Sequence, residues 1–360
     1  MLHSPLRYSP SLEQPQADEA ETDASLEKSF DYILKTTAED YGRAVRAVHA
    51  KAHGLFEGTF TVDGDLPPEL AQGLFAREGA YPAVFRISTN PGDILDDNVV
   101  LPRGIALKVE GVTGEREPGA EGDGQDFLMV NAPVFAAPTA DKFAGKLKLL
   151  AATTDRAEGA KVALSTVLGY INGALGKVGL ESKALAGMGG LPQVHPLGET
   201  YFSTVPFRYG DHVAKFRLRP LSPSLTALTD TVIDTSGRPD GLRETIREDA
   251  ARLTGEWAFE VQLLRDLEKQ PIEDASVEWK EQDSPFVQVA TLRVKPQDTW
   301  AEDKVRRIDE TLHFSPWNAL AAHKPLGGIN RARRRAYKHS SDFRVRVNGC
   351  PFSAADEAAG

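Results

Sequence analysis

Apolar and polar residues alternate in about eight short segments of this chain, and this pattern constrains the fold more than any other feature. Alternation places every second side chain on the same face of a β-strand, and burial of one face is typical of antiparallel sheets. About eight such strands can close into a barrel without free edges. The segments lie at or near residues 55–62, 83–90, 105–110, 126–131, 201–208, 214–219, 257–263 and 286–294.

Helical periodicity occurs in fewer places. Asp240 can cap a helix that carries Leu242, Ile246 and Leu253 on one side. Helices are also expected over residues 138–153, 158–177 and 328–338. The predicted fold class is therefore α+β, with an antiparallel β-barrel and surrounding helices.

Composition and charge exclude several classes of protein. The 360 residues, 41% of them hydrophobic, are enough to bury a sizeable core. A formal net charge of -10 argues against general binding of nucleic acid or of anionic membranes. No apolar run reaches the roughly 18 residues of a membrane-spanning helix, and no apolar leader is evident. We therefore expect a cytoplasmic protein with no membrane span and no nucleic-acid partner.

Polar stretches at the two ends suggest one central domain. Residues 1–27 are acidic and polar, and we interpret them as a flexible N-terminal arm. Residues 354–360 are expected to form a flexible tail. Residues 28–353 remain as a single domain.

Common metal-binding and nucleotide-binding motifs are absent. The sequence holds no phosphate loop, no HExxH, no GxSxG and no GxGxxG motif. Its single cysteine, Cys350, excludes an intrachain disulfide and a thiolate metal cluster. His49 and His53 are four residues apart, a spacing that could form a metal-binding pair on a helix. However, Gly54 directly follows His53 and disfavours a helix there, and no third ligand is evident.

The last predicted helix carries an arginine and a tyrosine on one face. Arg333 and Tyr337 are four residues apart and so lie one turn apart. A nearby guanidinium group stabilises a phenolate and lowers its pKa from the ordinary value of about 10. The pair therefore suits a tyrosinate ligand to ferric iron. The alternative interpretation of the Arg-rich run, residues 331–335, is a solvated basic face.

Five segments, in the same order along the chain, closely resemble the motifs of the haem catalases. The similarity extends from about Tyr41 to Val347, and five ordered motifs are far more specific than any one of them. The segments are Arg46–Lys51 (RAVHAK), Phe85–Thr89 (FRIST), Pro102–Lys108 (PRGIALK), Asp126–Phe135 (DFLMVNAPVF) and Arg333–Tyr337 (RRRAY). The resemblance implies a catalase-like eight-stranded barrel and a haem b cofactor.

The resemblance also implies roles for particular residues. His49 matches the distal acid–base histidine, Ser88 the serine that orients its ring, and Asn131 the distal asparagine that holds peroxide. Tyr337 matches the proximal ligand of the haem iron, and Arg333 the arginine that supports it.

Further residues are expected around the cofactor. Arg46, Arg86 and Arg344 match arginines that pair with the haem propionates. Phe143 matches a phenylalanine of the distal pocket, and Val48 precedes the distal histidine, as in catalases.

The chain also departs from full-length catalases. It resembles the minimal, barrel-only branch of the family, in which a homodimer is expected. Leu101 stands where an acidic channel residue is usual, and Asn90 replaces an apolar one. We therefore expect a catalase-related peroxidase with weak catalase activity. Its substrates would be hydrogen peroxide or an organic hydroperoxide and a small organic electron donor.

Two other functions remain open. A fatty-acid hydroperoxide isomerase similar to the allene oxide synthases is supported by the segment HKPLGGINRARRRAY, which begins at His323. Val48 argues against it, because those enzymes carry threonine there. A non-catalytic haem-binding protein is the third interpretation, but it would not need His49, Ser88 and Asn131 together.

Overall fold

The fold is a closed antiparallel barrel of eight strands with helices around it. The computed structural model of the chain describes residues 2–153 and 193–349. Its strands are β1 (Ala52–Val62), β2 (Gly79–Thr89), β3 (Arg103–Val109), β4 (Gln125–Val130), β5 (Tyr201–Phe202), β6 (Phe207–Tyr209), β7 (His212–Pro220), β8 (Gly255–Leu263) and β9 (Phe286–Val294). The order around the barrel is β1-β2-β3-β4-β5-β7-β8-β9, and pairing of β9 with β1 and of β5 with β7 closes it.

The predicted α+β barrel is therefore confirmed, with one difference in strand count. The predicted strand over residues 201–208 is divided into β5 and β6, which pair one after the other with the same edge of β7, and β6 forms a hairpin with β7. Between them, Thr204 has a φ of 59° and Pro206 has no backbone N–H, so the ladder cannot continue through this segment.

Aromatic side chains fill the inside of the barrel. Phe127 on β4 and Phe259 on β8 have ring centroids 4.7 Å apart, and Phe216 on β7 lies 5.1 Å from Phe127. Phe60 and Phe75 pack on the same group. The interior is thus a packed core, so a ligand site has to lie outside it.

The outer face of the barrel is also covered. Strand β3 alternates as predicted, yet its outward Lys108 is buried and forms an ion pair of 2.5 Å with Asp126. Arg86 on β2 is outward and buried too. The polar half of the alternation therefore marks a second buried layer in which polar groups have partners.

The helices are α1 (Glu19–Tyr41), α2 (Ala140–Thr153), α3 (Pro223–Thr226), α4 (Gly241–Ala250), α5 (Glu302–Lys304) and α6 (Gly328–Asn348). A π-helical turn, Val305–Thr311, follows α5. None of the described helices is long and apolar enough to cross a membrane. The predicted helix over 158–177, Cys350 and the predicted tail lie outside the described residues.

Two predicted helix ends were wrong. Helix α4 ends at Ala250, so Leu253 lies beyond it, and the side chain of Asp240 makes no capping hydrogen bond. The carboxylate of Asp97 instead accepts the N–H of Leu242 at 2.8 Å. Helix α6 continues past the predicted end at residue 338 to Asn348, where Gly349 takes a left-handed conformation that ends it.

The segment predicted as a flexible arm lies along the domain for part of its length. Helix α1 begins within it at Glu19, and the N–H of Leu6 donates to the backbone carbonyl of Leu264 at 2.8 Å. Glu13 and Glu19 form ion pairs of 2.6 and 2.7 Å with Arg331 at the start of α6. The first residues of the chain thus contact the helix that carries Tyr337.

Candidate active site

The register of neighbouring strands brings the predicted distal residues to one end of the barrel. Ser88 on β2 pairs with Gly104 on β3, and Gly104 pairs with Val130 on β4. His49 lies just before β1 and Asn131 just after β4. Three segments that are distant in sequence therefore converge across adjacent strands.

His49 is held in an unusual conformation by specific contacts. Its φ is 56°, in the left-handed region that non-glycine residues rarely adopt. Its N–H donates to the carbonyl of Asn90 at 2.7 Å, and its Nδ1 lies 3.1 Å from Ser88 Oγ. A Cβ added to Gly104 would lie 2.5 Å from Cε1 of His49, so only glycine leaves room for this ring.

The imidazole of His49 is neutral over the physiological range. Burial lowers its pKa to about 3, and the positive charges of Arg86, Arg333 and Arg46 act in the same direction. When Nδ1–H donates to Ser88, the lone pair of Nε2 is free to accept a proton. The residue is nevertheless partly exposed to solvent. These properties fit a general base.

Asn131 is fixed by two hydrogen bonds. Its Oδ1 accepts the N–H of Arg103 at 2.9 Å, and its Nδ2 donates to Glu199 Oε1 at 2.8 Å. Glu199 also pairs with the guanidinium group of Arg103. The sequence analysis missed Glu199, which belongs to none of the recognised motifs.

Two of the three predicted carboxylate-binding arginines meet at Asp309 in the π-helical turn. Its Oδ1 accepts Arg46 Nη1 at 2.9 Å and Arg86 Nε at 2.7 Å. Burial alone would raise the pKa of Asp309, but Arg86 and Arg46 outweigh this effect and hold it at about 2. The sequence analysis did not identify Asp309, although π-helical turns often occur at functional sites.

The third arginine of this group, Arg344, is buried and close enough to lower the pKa of Arg46 and of Asp309. Arg344, Arg46 and Arg86 carry three positive charges, and Asp309 carries one negative charge. Their net charge of about +2 suits a ligand with two carboxylates.

Tyr337 and Arg333 lie on one face of α6, as predicted. Arg333 Nη2 donates to the hydroxyl of Tyr337 at 3.3 Å, and its guanidinium carbon lies 5.5 Å from the tyrosine ring centroid. Asn330, one turn earlier, accepts Arg333 Nη1 at 3.3 Å. Tyr337 is partly exposed and packs outside the barrel against a cluster that includes Leu55 and Phe314.

Helix α6 contacts the loop that carries His49. The N–H of Ala47 donates to Ser340 Oγ at 3.2 Å, and the N–H of Ala44 donates to Asn348 Oδ1 at 2.8 Å. Arg333 also lowers the pKa of His49. The structure therefore brings the predicted proximal and distal residues into one region.

The remaining predicted residues differ in their burial and packing. Phe143 on α2 packs against Phe135 with ring centroids 5.1 Å apart. Val48 is partly buried against the main core. Leu101 is buried, whereas Asn90 is exposed.

The weak alternative of a histidine metal pair is not supported. His53 lies on β1 rather than on a helix, and its Nε2 is 3.2 Å from Thr89 Oγ1. Within residues 2–153 and 193–349 there is no group of three His, Cys, Asp or Glu side chains that could hold a metal ion.

Three solved structures with a similar fold are catalases. A fungal catalase matches 89% of this chain and 62% of its own at 17% identity and a TM-score of 0.60. Catalase A from Saccharomyces cerevisiae matches 87% of this chain and 63% of its own, at 16% identity and a TM-score of 0.60. A bacterial catalase matches 87% of this chain and 60% of its own, at 17% identity and a TM-score of 0.60.

These matches establish a catalase-like fold for the chain. It spans about three fifths of the length of these catalases. No protein-family model and no curated protein matches the sequence.

Proposed function

We propose that this protein is a haem-dependent enzyme that reduces hydroperoxides. One observation carries the proposal: a neutral, Ser88-held His49 lies in the same region as a tyrosine that an arginine supports. A haem peroxide enzyme requires an acid–base group and a proximal ligand to the iron from its protein, and in catalases that ligand is a tyrosine. The catalase-like fold supports the same class of chemistry by analogy.

The described residues fit a haem group in charge and in donor chemistry. The phenol oxygen of Tyr337 would be the iron ligand, and the Arg333 guanidinium donates a hydrogen bond to that oxygen. Arg46, Arg86 and Arg344, partly neutralised by Asp309, would hold the two propionates. When bound, haem supplies the redox centre that exchanges electrons with the peroxide.

The proton transfers are assigned to His49. Its Nε2 accepts the proton from the hydroxyl oxygen of R–O–O–H and then returns that proton to the R–O oxygen as the O–O bond breaks. One imidazole serves as base and acid in turn, so no net proton is left on the protein. An Asn131 N–H would hold the substrate for this transfer.

We infer a catalase-related peroxidase with weak catalase activity. The buried, apolar Leu101 supports this choice, because an apolar residue in the channel favours organic hydroperoxides over hydrogen peroxide. A small organic donor would supply the two electrons and two protons that reduction of the hydroperoxide to an alcohol and water consumes. The homodimer and the cytoplasmic location remain predictions.

Haem titration is the first test. Purified protein should bind one haem and show a tyrosinate-ligated ferric spectrum, and Tyr337→Phe should lose that spectrum. Tyr81→Phe, which changes a tyrosine on β2, is the matched control and should leave it unchanged. Absence of haem binding, or an unchanged spectrum in Tyr337→Phe, contradicts the proposal.

An oxygen electrode separates the two activities. Hydrogen peroxide without a donor should release little oxygen, whereas an organic hydroperoxide with a phenolic donor should be reduced at a higher rate. Sustained release of one oxygen per two peroxides would refute the peroxidase assignment. Conversion of a fatty-acid hydroperoxide without any donor would indicate the isomerase instead.

A further inference from the structure

We propose that Glu199 is a positioning residue that fixes the amide of Asn131, so that Asn131 offers an N–H donor, and not its oxygen, to the hydroperoxide. This inference rests on the proposed function for its substrate. The arrangement of Glu199, Arg103 and Asn131 stands on the described contacts alone.

The orientation of the Asn131 amide is determined by two partners, one of which can only donate a hydrogen bond and the other only accept one. Its Oδ1 lies 2.9 Å from the backbone N–H of Arg103, which can only donate. Its Nδ2 lies 2.8 Å from Oε1 of Glu199, which as a carboxylate can only accept. A flipped amide would place oxygen against carboxylate and N–H against N–H, so both contacts select one orientation.

Glu199 is itself held rigidly. Both of its carboxylate oxygens pair with the guanidinium group of Arg103, and Nη2 of Arg103 lies 2.6 Å from Oε1. Arg103 is only 3% exposed, and its Nη1 donates to Gln193 Oε1 at 2.6 Å. The charged pair thus has little freedom to rotate away from Asn131.

The backbone around Glu199 is also anchored. A short 3-10 turn, Pro196–Gly198, precedes it, and His195 Nδ1 caps this turn by accepting the N–H of Leu197 at 3.2 Å. His195 Nε2 donates to Asp249 on α4 at 2.9 Å. This histidine, which no motif includes, therefore helps to fix the position of Glu199.

The fixed amide has a chemical consequence. Among the described residues, Glu199 is the acceptor for Asn131 Nδ2, so the second hydrogen of that amide remains available to a ligand. His49 Nε2 supplies an acceptor at the same end of the barrel. One donor and one acceptor match a neutral hydroperoxide, which gives its hydroxyl proton to His49 and accepts from Asn131.

The first test needs no haem. The full chain, labelled with 15N-asparagine and prepared without haem, is examined by NMR, with the Asn131 side-chain signal assigned through Asn131→Ala. In the wild type, one Nδ2 proton should be shifted downfield by the carboxylate and exchange slowly. Both properties should be lost in Glu199→Gln.

Two further variants keep this test decisive. Glu248→Gln makes the same kind of substitution at an exposed glutamate that pairs with Arg252 and not with Arg103, so the Asn131 signal should stay as in the wild type. Glu199→Asp keeps the charge beside Arg103 but shortens its reach, so the signal should change even where Glu199→Gln does not fold. An unchanged signal in a folded Glu199 variant overturns the proposal.

The second test uses the haem-loaded enzyme. Glu199→Gln should lower kcat/KM for a hydroperoxide about ten-fold, as expected for the loss of one hydrogen bond to the substrate, and mainly by raising KM. Glu248→Gln should leave both constants unchanged. Equal losses in the two variants would show a merely structural role. Failure to bind haem would refute the proposed function, whereas the NMR result would still decide the orientation of Asn131.

Discussion

Acid should destabilise the wild-type protein more than a variant that lacks His49. Burial and three guanidinium groups lower the pKa of this imidazole from 6.5 to about 3. In the unfolded chain His49 therefore takes up a proton near pH 6.5, whereas in the folded protein it stays neutral down to about pH 3. The free energy of unfolding therefore falls as the pH drops below 6.5.

The size of the effect follows from this shift. The full difference between 6.5 and about 3 is worth about 5 kcal/mol, and about 2 kcal/mol of it is lost between pH 7 and pH 5. Chemical denaturation of the haem-free wild type and of His49→Gln at both pH values measures it. Other buried histidines, such as His323, contribute equally to both proteins and cancel in the difference.

The wild type should lose about 2 kcal/mol more free energy of unfolding than His49→Gln over this interval. His3→Gln, a change on the exposed N-terminal segment, controls for the substitution itself. Parallel curves for the wild type and His49→Gln would refute the reasoning, because they would mean that the imidazole titrates as in water.

Three further substitutions test other contacts of the site. Gly104→Ala should displace the ring of His49, cost about 1–3 kcal/mol in thermal unfolding and reduce turnover about a hundred-fold; unchanged turnover would refute the close packing. Asp309→Asn should cost about 3–5 kcal/mol in chemical denaturation at neutral pH, because two arginines lose their counter-ion. That deficit should shrink as the pH falls from 4 towards 2, where the wild-type carboxylate is also protonated, and a constant deficit would contradict this. Asn330→Leu should cost about 1–3 kcal/mol, since two backbone carbonyls lose its Nδ2 donor; an unchanged melting temperature would contradict this.

The strands could be predicted because their signal is local. The two-residue period of a strand such as β3 or β8 can be recognised from the residues of that strand alone. The cap of α4 could not be predicted in this way, because Asp97 is 145 residues from Leu242. The end of α6 did have a local signal, because Gly349 is the type of residue that commonly ends a helix. The polar residues before it gave no clear helical periodicity up to that position.

The site shows the same limit. His49, Ser88 and Asn131 lie in recognisable motifs, and the strand register brings these segments to one end of the barrel. Asp309 and Glu199 lie in segments with no motif, 223 residues from Arg86 and 68 from Asn131. Their roles depend on tertiary contacts, which no local pattern encodes.

The most direct test of the central claim is hydroperoxide consumption by the haem-loaded protein and by haem-loaded His49→Gln, with a phenolic donor present. The wild type should turn over repeatedly, and the variant should keep its haem spectrum while losing at least a hundred-fold in rate, the usual contribution of a general acid–base group. Equal rates in the two proteins, or no turnover in the wild type, would contradict the account.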